Sequence, residues 1–311
     1  MPNRRIIGID IAKNKADIYD TQTRKHQAIE ADNYHEWIST LVVDKPDLVV
    51  MEATGGYERI LAGLLSAAGI PLAIVNPRQV RDYAKSINQL AKTDAIDARV
   101  IAMFAQAVHI QAKELADSAT QTMRDLMERR RQLVTMRVAE KNREAQAIHP
   151  RVKKDIADML VFLDNQLARL DDDLDDHIKN SSVWREAENL LESVPGIGKV
   201  TARTLLADMP ELGRLNRQAI AALAGLAPFN DDSAGHRGHR HIRGGREQIR
   251  RVLYMACVSA IRCNPFISEF YRRLRDAGKS AKCALTACMR KMLLLLNSIM
   301  KNKTPFSLKI T

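Results

Sequence analysis

The sequence predicts an α/β N-terminal domain built on a mixed sheet, then a coiled-coil arm, then a mainly α C-terminal domain with a helix-hairpin-helix-like motif. Three observations predict it. Short apolar runs alternate with helix-like stretches over residues 1–112. A long, charged, glycine-free stretch dominates residues 113–183 and carries leucines in a heptad rhythm. Residues 184–311 are basic and helical, with Gly and Pro concentrated between Pro195 and Gly245.

Within the first segment, residues 4–10 and 15–20 read as strands joined by a short polar turn, the pairing expected of an antiparallel hairpin. A third strand near Ala28–Glu30, a helix over Tyr34–Val43 and a strand over Leu48–Met51 come next. A helix over Tyr57–Ala68 leads to a strand, Pro71–Asn76, that stops at Pro77. The long stretch is broken once, at His149-Pro150. In its second half Ile156, Leu160, Leu163, Leu167, Leu170 and Leu174 alternate steps of four and three. That stripe fits either a coiled-coil seam with a second copy or an intramolecular hairpin, so the arm is a dimerisation element or a spacer. The acidic run Asp171, Asp172, Asp173, Asp175 and Asp176 reads as a solvated helix end.

At 311 residues and 46% hydrophobic content the chain is long enough for two cores, which argues against wholesale disorder. Lys and Arg number 48 against 37 Asp and Glu, a net charge of +11, and the pI is near 9.6. That balance makes nucleic acid the leading partner class and an anionic membrane surface the second. The apolar run from Met292 is interrupted at Asn297, short of the ~20 residues that span a bilayer. Met-Pro-Asn-Arg-Arg leads straight into a strand, so no secretory signal and no membrane are expected. Cys257, Cys263, Cys283 and Cys288 fit neither a zinc knuckle nor a disulfide scaffold, and read as reduced thiols in a cytoplasm.

Against this basic background four carboxylates stand out: Asp10, Glu52, Asp94 and Asp97. Asp10 and Glu52 each end an apolar strand, where a charge has to be solvated, paired or bound to a cation. Asp94 and Asp97, three apart, share one helical face, although taken alone such a pair more often serves as helix cap and first-turn acid. Several carboxylates brought together from separate elements suit two Mg²⁺ ions, with Mn²⁺ as the alternative, acting on a phosphodiester.

Two later motifs suit phosphate contacts. In Pro195-Gly-Ile-Gly198-Lys199 a turn runs directly into an amphipathic helix, as in helix-hairpin-helix motifs, where Gly196 and Gly198 would let backbone N–H groups approach DNA phosphate and Lys199 would reinforce them. Between His236 and Arg251 six arginines, Arg237, Arg240, Arg243, Arg246, Arg250 and Arg251, face a single Glu247. His236, His239 and His241 have no fourth ligand nearby for zinc. Ser233 heads this loop beside Asp231 and Asp232, and by composition alone it is a turn former.

Gly8-Ile-Asp-Ile-Ala-Lys13, Met51-Glu-Ala-Thr-Gly-Gly-Tyr57, Asn76-Pro77, Lys92-Thr-Asp-Ala-Ile-Asp-Ala-Arg99, Pro195-Gly-Ile-Gly198, Ala224-Gly-Leu-Ala-Pro228 and Leu253-Tyr-Met-Ala256 occur in this order. Together they resemble the DEDD-type insertion-sequence transposases related to the Piv DNA invertases, almost end to end. The resemblance implies an N-terminal domain of the RNase H and RuvC type, a coiled-coil arm and a C-terminal transposase domain. It implies Asp10, Glu52, Asp94 and Asp97 as Mg²⁺ ligands and Ser233 as nucleophile. The family's usual Ser-Gly is here Ser233-Ala234-Gly235. It further implies a recombinase acting on element ends or junction and target DNA, guided by a structured RNA, assembled as a homodimer or homotetramer in a bacterial cytoplasm. The residues alone also fit a junction-cleaving nuclease that activates water, or a non-catalytic nucleic-acid-binding protein.

Overall fold

A computed structural model describes residues 4–89, 94–113, 115, 117–229 and 241–307, with backbone alone for Asp94 and Ala95. The chain divides into two compact units, Met1–Ala116 and Asp117–Thr311.

The first unit is built on five strands. β1 (Ile6–Ile11), β2 (Lys15–Asp20) and β3 (His26–Glu30) form an antiparallel meander, closed at its first turn by Ala12 N–H donating to Lys15 O at 2.9 Å. β4 (Leu48–Glu52) and β5 (Leu72–Val75) add in parallel on the other side of β1, so the order is β3-β2-β1-β4-β5. Parallel neighbours need crossovers, supplied here by α1 (Tyr34–Val43) and α2 (Glu58–Ala67). α3 (Pro77–Ser86) and α4 (Asp94–Ala107) complete the unit's helices. This is the mixed sheet expected of the RNase H and RuvC type. Pro77, read from sequence only as the end of a strand, also begins α3: it fills the first helical position, and Asn76 caps it by accepting from Arg78 N–H at 2.9 Å.

Both faces of the sheet are covered, which explains why its central strands are almost continuously apolar. Ile7, Ile9, Ile11, Val49 and Met51 pack with Trp37, Ile38, Leu61 and Leu65 of α1 and α2. Ile6, Leu48, Val50 and Val75 face Val80 of α3 and Ile101 and Phe104 of α4. At Gly8 the second layer comes unusually close: a Cβ there would lie 2.2 Å from Ala98 O and 2.6 Å from Ala102 N. Only a residue without a side chain lets this turn of α4 rest on β1.

The second unit is helical, with one two-stranded ribbon among the described residues. α5 (Ser118–Gln146) and α6 (Pro150–Lys179) form an antiparallel pair, interrupted where His149 caps Pro150 at the first position of α6. Leu133 packs with Leu163 and Leu170, and Met123 and Met127 pack with Leu174 and Ile178. The leucine stripe therefore closes on α5 of the same chain over these positions. Members of the acidic run at its end do more than solvate a helix terminus. Asp171 accepts from Arg130 at 2.6 and 3.2 Å across the pair, and Asp175 holds Arg203 and Lys199.

Beyond the pair come α7 (Ser182–Glu192), α8 (Lys199–Asp208) and α9 (Arg217–Leu223). The ribbon β6 (Pro228–Phe229) and β7 (His241–Ile242) is next, then α10 (Glu247–Cys263), α11 (Pro265–Asp276) and α12 (Ala281–Asn302). α12 is long and apolar enough to cross a membrane by length and composition, unlike the short run expected around Met292. Its apolar face is instead core: Cys288, Met292, Leu293 and Leu296 are buried with Leu191, Leu205, Ile220 and Leu253. Asn297, the residue that interrupts the apolar run, is buried and paired, accepting from Gly213 N–H at 2.7 Å and donating to Leu215 O at 3.0 Å. All four cysteines are free; Cys257 and Cys288 are buried, and burial pushes the Cys288 thiol up to about 11.

Replacing Gly8 with Val should destabilise the protein by about 3 kcal/mol or prevent folding, because a backbone cannot yield as a flexible side chain does. Chemical denaturation against wild type measures it.

Candidate active site

Register places the first two carboxylates. β1 and β4 run parallel with Ile9 opposite Met51, so the next step along both strands sets Asp10 beside Glu52 on the same face of the sheet. Both are half-buried. The face they share is the one covered by α4, since Ile6 and Gly8 alternate with Ile7 and Ile9.

The direction of α4 brings in the second pair. Arg4, just ahead of β1, donates to Ile110 O at 2.7 Å, so the C-terminal end of α4 lies over the start of β1. The helix thus runs against the strand, and its N-terminal turn lies over the strand's carboxyl end. Helices rise about 1.5 Å per residue and strands about 3.3 Å, so backing up four residues from Ala98 matches advancing two from Gly8, about 6 Å each. That correspondence sets the first turn of α4, which begins at Asp94 and includes half-buried Asp97, level with Asp10. The Asp94 side chain lies outside the described residues. Among the described residues no three His, Cys, Asp or Glu are gathered closely enough to hold a metal ion. In chemistry the donor set, carboxylate oxygens alone, fits a hard divalent cation.

Two acids that sequence reasoning passed over border this place. Asp17 lies directly across β2 from Asp10, is buried, and pairs with Lys15 at 3.1 Å and His26 at 3.3 Å. Its period-two spacing from Lys15 in a half-apolar strand was the available signal. Glu58, at the start of α2, is also buried and accepts hydrogen bonds from the loop just past Glu52.

In the second unit the glycines of the Pro-Gly-Ile-Gly turn have different surroundings. Gly196 takes φ +101°, and a Cβ there would meet Ala260 Cβ at 2.7 Å, so it is pressed against α10. Gly198 caps α8, and nothing lies within 4 Å of a Cβ there. Lys199 pairs with Asp175 at 3.2 Å, but its side chain is 57% exposed, and such a pair is worth less than about 1 kcal/mol, little enough to yield to a phosphate. Below it Arg203 is buried between Glu188, at 2.6 Å, and Asp175. The Arg203 hydrogen bond holds the Asp175 carboxyl below the usual range.

The basic segment divides similarly. Arg246 grips Glu211 through both terminal nitrogens, and Arg250 donates to Ala224 O at 3.2 Å and to Gly244 O. Arg250 thereby ties two glycine turns that already touch, because a Cβ on Gly225 would lie 2.2 Å from Gly244 O. Arg243 stacks over Phe229 at 5.2 Å, and Arg251 pairs with Glu247 at the surface. Ser233, Arg237 and Arg240 lie outside the described residues.

Strand-end carboxylates thus lie beneath a helix N-terminus in a chain whose other unit is helical and rich in arginine. Residues 7–149 match the transposase family DEDD_Tnp_IS110, and residues 188–272 match the "Transposase IS116/IS110/IS902 family". The chain carries two successive transposase domains, DEDD_Tnp_IS110 and IS116/IS110/IS902. It is 26% identical over 320 residues to the pilin gene-inverting protein of Moraxella bovis, covering 99% of both chains. It is 25% identical to the transposase for insertion sequence element IS1111A of Coxiella burnetii, covering 75% of this chain and 71% of that one. Among solved structures it is similar to T. thermophilus RuvC in complex with Holliday junction substrate, at 16% identity, 36% of this chain, 100% of that chain and TM-score 0.29.

Substituting Gly196 with Ala should cost more than about 2 kcal/mol, through both its positive φ and the contact with Ala260. Gly198→Ala should cost about 1 kcal/mol or less, the effect of a poorer cap. Urea titration of the two variants checks the contrast.

Proposed function

We propose that this chain cuts and rejoins DNA as the transposase or site-specific recombinase of an insertion sequence. The observation that carries the reading is the convergence of Asp10 and Glu52, on adjacent parallel strands, beneath the α4 turn that bears Asp97. Asp10, Glu52, Asp94 and Asp97 would hold Mg²⁺ or Mn²⁺. When bound, the ion would polarise the scissile phosphate and favour ionisation of the Ser233 hydroxyl.

Ser233 Oγ is the nucleophile in this reading. A bond forms from Oγ to phosphorus while the bond from phosphorus to the leaving deoxyribose oxygen breaks, and that oxygen takes up the proton. The phosphoserine link conserves the phosphodiester energy, and attack by a new strand's hydroxyl reverses it. Arg237, Arg240 and Arg243 neutralise charge at the phosphate, and Gly198 with Lys199 grips backbone away from it. The relatives named for gene inversion and transposition support DNA as the partner. The reading extends to a structured guide RNA, supported by a net charge of +11 and by candidate contacts that suit sugar-phosphate backbone in either nucleic acid. It extends also to a homodimer or homotetramer acting at the nucleoid in the cytoplasm.

Incubating the protein with Mg²⁺ and a DNA carrying the element junction should give a covalent protein–DNA adduct, detected by denaturing electrophoresis. Ser233→Ala should abolish the adduct and strand exchange together, and Asp10→Ala should abolish both. An adduct surviving Ser233→Ala refutes the serine assignment, and cleavage to free 5′-phosphate ends at the wild-type rate in that variant refutes it in favour of metal-activated water.

A further inference from the structure

β4 ends at Glu52, and the next five residues turn the chain into α2. Ala53 N–H still donates to Val75 O at 3.1 Å, so the sheet ladder holds the backbone one residue past Glu52. Beyond that the backbone of the turn is tied by Arg59 N–H donating to Gly56 O at 3.1 Å. Gly55 and Gly56 take φ of +82° and +134°, and no atom lies within 4 Å of a Cβ built on either. Two glycines in open space carry the largest conformational freedom a chain can have.

Glu58 supplies the side-chain restraint. A single carboxylate oxygen, Oε2, accepts from Thr54 N–H at 3.1 Å, Thr54 Oγ1 at 2.8 Å and Gly56 N–H at 2.9 Å. The residue is 9% exposed, so these charge-assisted bonds form where water competes little. Burial opposes the charge, yet hydrogen bonds from its own backbone, Thr54 and Gly56 prevail and hold the carboxyl below the usual glutamate range. An acid in the first turn of a helix commonly serves the helix dipole from the surface. Glu58 instead turns back, away from its helix, and gathers the loop.

We infer that Glu58 is a positioning residue for Glu52: by fixing residues 54–56 it fixes the chain leaving β4, and so the direction in which Glu52 presents its oxygens to a divalent cation. The ladder holds the backbone as far as Ala53, and Glu58 holds it from Thr54 onward. The inference rests on the reading of Glu52 as a cation ligand. Residues that orient a ligand from behind typically change metal affinity by about 10–100-fold when lost.

The test is Mn²⁺ binding to the full-length protein, followed by the electron paramagnetic resonance of free Mn²⁺, with thermal unfolding measured in parallel. Glu58→Ala should weaken binding about tenfold or more. Glu58→Gln, which keeps one acceptor oxygen, should retain most of the affinity, and Thr54→Val, which loses one of three donors, should fall between. Unchanged Mn²⁺ binding in Glu58→Ala overturns the inference. Should Glu58→Ala fail to fold, Thr54→Val decides it, and wild-type affinity there overturns it equally. Glu52→Gln separates the two claims. If it binds Mn²⁺ as wild type does, the assignment of Glu52 itself is wrong; if it loses Mn²⁺ while Glu58→Ala keeps it, only the positioning role fails.

Discussion

The first unit depends on the contact between α4 and β1 at Gly8. A helix normally packs on a sheet through side chains that hold the two backbones apart. At Gly8 the backbone of α4 replaces that cushion, with Ala98 O and Ala102 N against the strand and the small Ala102 side chain beside them. The close approach holds α4 in register along β1, because sliding the helix by even one residue would bring Arg99 or Met103 onto the strand. Arg4, donating to Ile110 O, anchors the far end. With the helix so fixed, the height of its first turn above Asp10 and Glu52 is a matter of geometry, not of loop conformation.

The second unit uses the same device twice. Gly196 lets the hairpin turn lie on Ala260 of α10, and Gly225 meets Gly244 and Gly245 backbone to backbone beside the ribbon. Polar groups then lock what the glycines permit. Arg203 joins α6, α7 and α8 through Asp175 and Glu188, Arg246 joins the head of α10 to Glu211, and Arg250 closes the glycine turns. Removing one partner of a buried pair such as Arg203 and Glu188 leaves an uncompensated charge, typically worth about 3–5 kcal/mol. Several basic residues near the candidate nucleic-acid surface therefore serve the fold, and exposed ones such as Lys199 and Arg251 keep the freedom to meet phosphate.

Much of this architecture is legible in the sequence, for reasons that can be named. Short, almost continuous apolar runs mark β1 and β4, and the proline after His149 marks the break between the long helices. Carboxylates at the ends of apolar strands are visible as charges with nowhere apolar to go. Other features are not legible. α3 is hidden because Asn76-Pro77 serves equally as a strand terminator and as a helix cap, and residues 78–86 are too polar to decide between the two. The leucine stripe of α6 cannot name its partner, since Met123, Met127 and Leu133 of α5 form too sparse a pattern to announce a seam. Gly196 and Gly198 look alike as letters, and only Ala260, more than sixty positions away in the chain, distinguishes the one that packs from the one that caps. Glu58 reads as an ordinary first-turn acid, and only its backward-facing oxygen sets it apart.

The antiparallel run of α4 against β1 has an electrostatic consequence. A helix N-terminus carries about half a positive charge, concentrated on N–H groups of its first turn that have no partner within the helix. In this unit that end is set over the strand ends bearing Asp10 and Glu52, while Asp97 sits within the same turn. The dipole thus offsets part of the repulsion between the two neighbouring carboxylates, Asp10 and Glu52. The helix whose backbone rests on Gly8 carries its own partial positive charge to the sheet edge where the strand ends bear Asp10 and Glu52.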